Sequence, residues 1–162
     1  MSRRVLHYGW LVATSLLFAA AFSIVILPDW IGFARPALLL MVTCYWVLMV
    51  PRRFGLLLAW CLGLLLDVMD GTALGQHALA LMLCAFIVLK LNEFIRSYRI
   101  WQQALLFLPI FLLYEFVLFW LDGVTGRSAE PLWRWAPAFS STLLWPPLSS
   151  LLRRAGRYTY GG

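Results

Sequence analysis

The side chains best suited to chemistry in this 162-residue chain cluster in one short segment. Asp67 and Asp70 are three residues apart, Gly71 follows directly, and Gly75 stands two residues before His77. Two carboxylates at this spacing share one face of a helix, where they could bind a metal or relay protons. A structural interpretation stays open beside the chemical one. Asp67 could cap the break between two helices, while Gly71 and Gly75 could permit a tight turn or a close helix contact.

The same segment matches only the opening of one enzyme motif. CDP-alcohol phosphotransferases have the pattern D-x-x-D-G-x-x-A-R, then a glycine and D-x-x-x-D. Leu74 and Gly75 stand in place of the Ala and Arg, and Val88 and Asn92 in place of the second acid pair. G-x-S-x-G, H-E-x-x-H and P-loop motifs are missing from the sequence. We therefore predict a protein that is not an enzyme and uses no cofactor or metal.

A single carboxylate, Glu115, lies well inside a long apolar stretch. At that depth in a membrane it costs at least a few kcal/mol unless it is protonated, paired or facing a cavity. One interpretation is a proton-coupled or ligand-binding role. The other is a hydrogen bond to a neighbouring helix, from Ser140, Ser141 or Thr142.

Arg35 and Pro36 open another apolar stretch. The Arg35 side chain could extend to the outer headgroups, pair with Asp67 or Asp70, or hold a lipid phosphate. Pro36 suits the first turn of a helix, where its missing N–H costs nothing.

Small residues four apart indicate where helices could touch. Ala59 and Gly63 have this spacing, as do Gly71 and Gly75. The pattern lets two helix backbones approach closely in lipid, either within the chain or with a partner helix.

The composition indicates that these residues are positioned by membrane-spanning helices. Hydrophobic residues make up 63% and charged residues 12%, against roughly 45–50% and 25% in soluble globular domains. This excludes an ordinary water-soluble enzyme. We predict one all-α transmembrane domain over residues 1–162, a six-helix bundle with spans at about 9–27, 36–50, 54–68, 74–91, 100–121 and 137–152. The short second and third spans are expected to form a tight hairpin around Pro51, Arg52 and Arg53.

The positions of the basic residues predict the orientation. Ten of the 13 Lys and Arg residues fall at the two termini or in the loops after the second and fourth spans. Only Arg35, Arg127 and Arg134 fall in the alternate loops. Because cytoplasmic loops are enriched in basic residues, both termini are expected in the cytoplasm, and Asp67 and Arg35 near the opposite face.

The order of these features resembles the MreD family of bacterial inner-membrane proteins that determine rod shape. No single matching piece is specific, but their order and spacing are. The pieces are Arg35–Pro36, Leu38–Leu40, Tyr45–Trp46, Pro51–Arg53 with Gly55, Gly63, Leu66–Asp67, Gly71–Thr72, Leu74–Gly75, Ala78–Ala80, Trp101–Leu105, Phe119–Trp120 and Leu144–Pro146.

The resemblance implies a non-catalytic scaffold of the cell-wall elongation machinery in the bacterial inner membrane. Its implied partners are the single-span protein MreC, a SEDS-type glycosyltransferase with a class B penicillin-binding transpeptidase, membrane lipid and, indirectly, the MreB filament. The implied fold is similar to the substrate-binding subunit of energy-coupling-factor transporters. Asp67 and Glu115 occupy the family's acidic positions. The alternative is a transporter-like subunit that binds a small molecule or lipid in a cavity near Glu115 and Asp67. Nucleic acid is not an expected partner.

Overall fold

The computed structural model describes residues 2–24, 35–51, 56–126 and 133–158, which are almost entirely helical and contain no strand. The all-α part of the prediction is therefore confirmed. The helices in these ranges are α1 (Ser2–Ile24), α2 (Leu38–Met49), α3 (Leu56–Asp70), α4 (Gln76–Lys90), α5 (Asn92–Ser97), α6 (Ile100–Thr125) and α7 (Ala136–Tyr158), with a 3-10 turn at Trp133–Trp135.

Proline and glycine set several helix ends. α2 lies between Pro36 and Pro51, and proline both lacks an N–H and disfavours helical geometry in the residue before it. Gly71 and Gly126 directly follow α3 and α6 with φ of +61° and +75°. This left-handed conformation, which glycine adopts without strain, is a common helix terminator.

Within the described residues, one helix is long and apolar enough to cross a membrane, namely α6 with 26 residues. Gly9–Ser23, Leu38–Met49 and Gln76–Lys90 form shorter apolar helices. Each of the six stretches predicted as spans overlaps one of the longer helices, whereas the six-residue α5 was not anticipated.

The core is built around α2, whose residues from Leu39 to Leu48 are all buried. A helix that is apolar on every face needs neighbours all round it. α1, α4, α5 and α7 supply them. The most extensive helix pairs are α3 with α4 and α6 with α7.

The expected hairpin of the second and third spans is wrong. α3 is not among the main packing partners of α2; it packs instead on α4, across the turn that follows Asp70. Arg52 and Arg53, at the centre of the expected hairpin, lie outside the described residues. A short connection in sequence favours antiparallel neighbours, but the apolar surface of α2 is already covered by other helices.

Polar contacts show that successive long helices run in alternating directions. The Arg35 guanidinium, just before α2, donates to the Phe22 carbonyl at the end of α1. The Ala37 N–H donates to Ser141 Oγ at 3.0 Å, which brings the start of α2 close to the N-terminal part of α7. We call this end of the bundle, where α3 also ends after Asp67, the Asp67 end. At the other end, the Asn92 end, the Asn92 amide donates to the Leu48 carbonyl of α2 at 2.7 Å.

The outer surface of the bundle is strongly apolar. Exposed fractions reach 74% for Trp10 on α1, 78% for Leu57 on α3, 73% for Trp101 on α6 and 77% for Leu143 on α7. Soluble monomers rarely expose large apolar side chains on so many faces. The described surface fits a protein surrounded by lipid.

Candidate functional site

The connection from α3 to α4 is organised by the carboxylate of Asp67. One oxygen accepts hydrogen bonds from Thr72 Oγ1 at 2.9 Å and from the His77 N–H at 2.8 Å, and it lies 2.9 Å from His77 Nδ1. The other accepts the Gly75 N–H at 2.8 Å. The Asp67 side chain is fully buried. A buried carboxylate is tolerated because hydrogen-bond donors surround it.

The local sequence explains why this cap forms. The first N–H groups of a helix have no partner inside the helix, and the helix dipole favours a negative charge beside them. Asp67 reaches the N–H groups of Gly75 and His77, at the start of α4, from the end of α3. Gly71 and Gly75, with φ of +61° and +101°, let the chain turn back within a few residues. The structural interpretation of Asp67 and the tight-turn interpretation of the two glycines are thus the ones observed.

A second polar cluster ties α4 to α6 and to the 3-10 turn. Gln76 Nε2 donates to one carboxylate oxygen of Asp122 at 2.6 Å, and the Arg134 guanidinium forms an ion pair with the other. Asp122 is buried near the end of α6. The sequence analysis did not single out Asp122. Its seven-residue spacing from Glu115, which places both acids on one helix face, was the signal available.

Beside these clusters, at the Asp67 end, lies a partly open cavity of about 230 Å³. The ionisable side chains in its wall are Arg35, Asp70, His77, Tyr114 and Glu115, and Ser23 adds a hydroxyl. Asp67 itself does not line the cavity; it holds the turn that brings His77 there. The cavity predicted near Glu115 and Asp67 therefore exists, with Asp70 as its second carboxylate.

Glu115 is the deeply buried carboxylate of this cavity. The residue is only 7% exposed, and no hydrogen bond or ion pair from the described part of the chain reaches its carboxylate. None of the three hydroxyls considered as partners bonds to Glu115 in the described part of the chain. Ser140 donates to the Pro137 carbonyl, Thr142 donates to the Ala138 carbonyl, and Ser141 accepts the Ala37 N–H. A carboxylate so placed would bind a cation or a hydrogen-bond donor that enters the cavity.

Arg35 is held in the cavity wall by its bond to the Phe22 carbonyl. No ion pair with Asp67 or Asp70 forms among the described residues. This observation argues against only one of the alternatives considered for Arg35, the ion pair with Asp67 or Asp70. Pro36 follows Arg35 in the same wall.

The two pairs of small residues serve different purposes. A Cβ added at Gly63 would lie 2.2 Å from the Cα of Ala78, so α3 and α4 touch backbone to backbone there. Ala59, one turn earlier, is buried as well. This pair is therefore used inside the chain. A Cβ at Gly71 or Gly75 would meet nothing within 4 Å, so the described residues do not press on these positions as they do on Gly63.

Within the four described ranges, no three His, Cys, Asp or Glu side chains cluster closely enough to hold a metal ion. Asp70 lies only 3.9 Å from His77 Nε2, but its side chain is 42% exposed.

Comparisons with known proteins match almost the whole chain. The family profile described as "MreD: rod shape-determining protein MreD" matches residues 3–155. The "Rod shape-determining protein MreD" of Haemophilus influenzae is 31% identical over 142 residues, which cover 86% of this chain and 88% of that protein. No solved structure matches the chain.

Proposed function

Because the chain belongs to the MreD family of rod shape-determining proteins, we propose that it is a non-catalytic scaffold of the wall-elongation machinery in the bacterial inner membrane. The family match over residues 3–155 is the observation on which this rests. The structure adds physical support. The described part of the chain is helical throughout its length and presents apolar side chains outward, so its binding surfaces lie on the helices themselves.

We propose six spans, formed by α1 to α4, α6 and α7, with the Asn92 end in the cytoplasm. Lys90, Arg96, Arg99 and Arg153 are all on helices or turns near that end. Basic residues are retained on the cytoplasmic side of membrane proteins. Asp67, Glu115 and the cavity then lie toward the outer face of the membrane.

The direct partner in this proposal is a single-span protein of the MreC type. Helices in lipid associate through shape-matched packing rather than through a hydrophobic driving force. The close-contact pair Ala59 and Gly63 is occupied by α4, so the partner must use another surface. Exposed residues of α6, such as Leu105, Phe116 and Trp120, provide one. A SEDS glycosyltransferase and a class B penicillin-binding transpeptidase join through this complex, and the MreB filament indirectly.

Purification from its own cells in mild detergent tests this proposal. The tagged chain is expected to retain a single-span MreC-like protein at near one-to-one or another fixed ratio, identified by mass spectrometry. An unrelated multi-span protein with the same tag is the control. A folded, monodisperse chain that never retains such a partner, under conditions where the complex's other members are intact, would contradict the proposal.

The cavity favours a second candidate function, the binding of a small molecule or a lipid. The supporting observation is the buried Glu115 carboxylate without a partner among the described residues. A fold similar to the substrate-binding subunits of energy-coupling-factor transporters would suit this role, and it stays a prediction. Native mass spectrometry of the purified chain tests it, since a molecule held in the cavity is expected to remain bound. The two functions are compatible in one protein.

A further inference from the structure

The cavity at the Asp67 end has a charge pattern that helix packing does not require. Glu115 faces it with a carboxylate that is 7% exposed and has no hydrogen bond or close ion pair among the described residues, although the charge of Arg134 acts on it from farther away. Asp70 adds a second carboxylate, and Arg35 adds a guanidinium from the segment before α2. Empty cavities in protein interiors are apolar, whereas polar cavities hold water or a ligand, because a buried charge without a partner is costly.

The chemistry of these groups defines the ligand that would satisfy them. Two carboxylates favour a cationic nitrogen that carries N–H donors. A guanidinium has five N–H donors, and the bond to the Phe22 carbonyl leaves others available to Arg35. Paired donors of this kind suit a phosphate. The wall therefore fits a group in which an ammonium and a phosphate are close together.

We propose that this cavity binds the headgroup of a zwitterionic aminophospholipid, with its ammonium at Glu115 and Asp70 and its phosphate at Arg35. The inference rests on the second candidate function and names its ligand class. It makes Glu115 and Arg35 binding residues, and it assigns Asp67 the positioning role of holding the turn that places His77 in the wall.

The size and surroundings of the cavity favour a lipid over a free metabolite. Its volume of about 230 Å³ is below the roughly 300–1,000 Å³ of pockets that enclose whole drug-sized ligands, so it suits a headgroup whose chains stay outside. Beside Glu115 on α6, Phe116 is 52% exposed and Phe119 is 39% exposed. Such outward apolar side chains would lie against acyl chains.

Competition between lipids, followed by native mass spectrometry, tests the proposal. The full-length protein is stripped of lipid in detergent and offered equal amounts of phosphatidylethanolamine, phosphatidylglycerol and phosphatidylcholine. Phosphatidylethanolamine is expected to be retained in preference to phosphatidylglycerol, which has no cation. It is also expected to exceed phosphatidylcholine, whose quaternary nitrogen cannot donate a hydrogen bond.

Two variants locate the binding, and a third is the control. Glu115→Gln is expected to weaken phosphatidylethanolamine retention by about tenfold or more, as for loss of a charged hydrogen bond. Asp70→Asn should weaken it less, because that side chain is 42% exposed. Glu93→Gln changes an exposed acid at the Asn92 end and should leave retention unchanged. Should Glu115→Gln fail to fold, Asp70→Asn, at an exposed position, keeps the test decisive.

Other outcomes overturn the proposal in distinguishable ways. Equal retention of all three lipids, or an unchanged preference in folded Glu115→Gln and Asp70→Asn proteins, rejects the ligand class but not lipid binding. If soluble phosphoethanolamine is retained and the lipid is not, the ligand is a free metabolite rather than a lipid. If Glu115→Gln loses the single-span partner and the chain shows no lipid preference, the cavity binds a cationic side chain of that partner instead. Retention of no ligand at all rejects the second candidate function itself.

Discussion

Asp67 shows how one buried carboxylate can define a turn between two membrane helices. It accepts hydrogen bonds from a side chain and two backbone N–H groups, and it lies against the His77 ring. Replacing Asp67 by Ala leaves these buried donors without an acceptor. We expect a loss of about 3 kcal/mol or more in the free energy of unfolding.

Thermal unfolding in detergent, followed by tryptophan fluorescence, measures this effect. Asp70→Ala is the matched control, because Asp70 is on the same helix and its side chain is 42% exposed. That change should stay within about 0.5 kcal/mol. Equal melting temperatures for the two variants would show that the hydrogen bonds to Asp67 contribute nothing.

At the residue scale, the sequence identified the polar side chains of the turn and the cavity, but it left the role of each one open. The spacing of Asp67 and Asp70 fitted both a metal site and a helix cap, and only the positions of the Gly75 and His77 N–H groups decided between them. The depth of Glu115 predicted its burial. Its lack of a hydrogen-bond partner among the described residues depends on how α7 orients Ser140, Ser141 and Thr142. That orientation is set by the tertiary packing and is not encoded in the local sequence.

At the scale of helices, backbone contact at Gly63 joins α3 to α4. An added Cβ would lie 2.5 Å or less from both the Cα and the N of Ala78, and these backbone atoms cannot move aside as a flexible side chain can. Gly63→Ala should therefore destabilise the protein by about 1–3 kcal/mol or more, as overpacking does. Gly123→Ala is the control, because a Cβ there meets nothing within 4 Å. A melting temperature as high for Gly63→Ala as for Gly123→Ala would contradict the contact.

Gly75 makes a different prediction, because its φ of +101° strains any other residue. Gly75→Ala should cost about 1–3 kcal/mol through backbone strain although the space around it is open. Larger residues should cost little more, since no neighbour is displaced. A steep dependence of the melting temperature on side-chain size, from Ala to Leu, would instead indicate packing against an unseen helix.

The helices themselves could be predicted from long apolar stretches, but their pairing could not. The proline and glycine residues that end α2, α3 and α6 are readable in the sequence. The hairpin of the second and third spans was wrong because nearness in sequence does not decide which apolar surfaces fit together. Helix α2 is buried on all faces, so its neighbours are set by the whole bundle.

At the scale of the whole molecule, the polar residues separate into two ends. Four of the described acids, Asp67, Asp70, Glu115 and Asp122, lie toward one end with Arg35 and Arg134, whereas Lys90, Arg96, Arg99 and Arg153 lie near the other end with Glu93. Composition alone predicted a membrane protein and charge counting predicted its orientation. Neither could locate the cavity, because it is formed by residues from distant parts of the chain.

Labelling of introduced cysteines in spheroplasts tests most directly whether α6 crosses the membrane with the Asn92 end inside, which sets the orientation of the bundle. Thr125→Cys, at the Asp67 end, and Ser97→Cys, at the Asn92 end, both change exposed residues. With a membrane-impermeant maleimide applied outside spheroplasts, Thr125→Cys should react at once. Ser97→Cys should react only after the membrane is opened, and the wild-type chain, with its native Cys44, Cys61 and Cys84, measures the background. Labelling of Ser97→Cys from outside, or of neither position until permeabilisation, would contradict the orientation on which the proposed scaffold and lipid site depend.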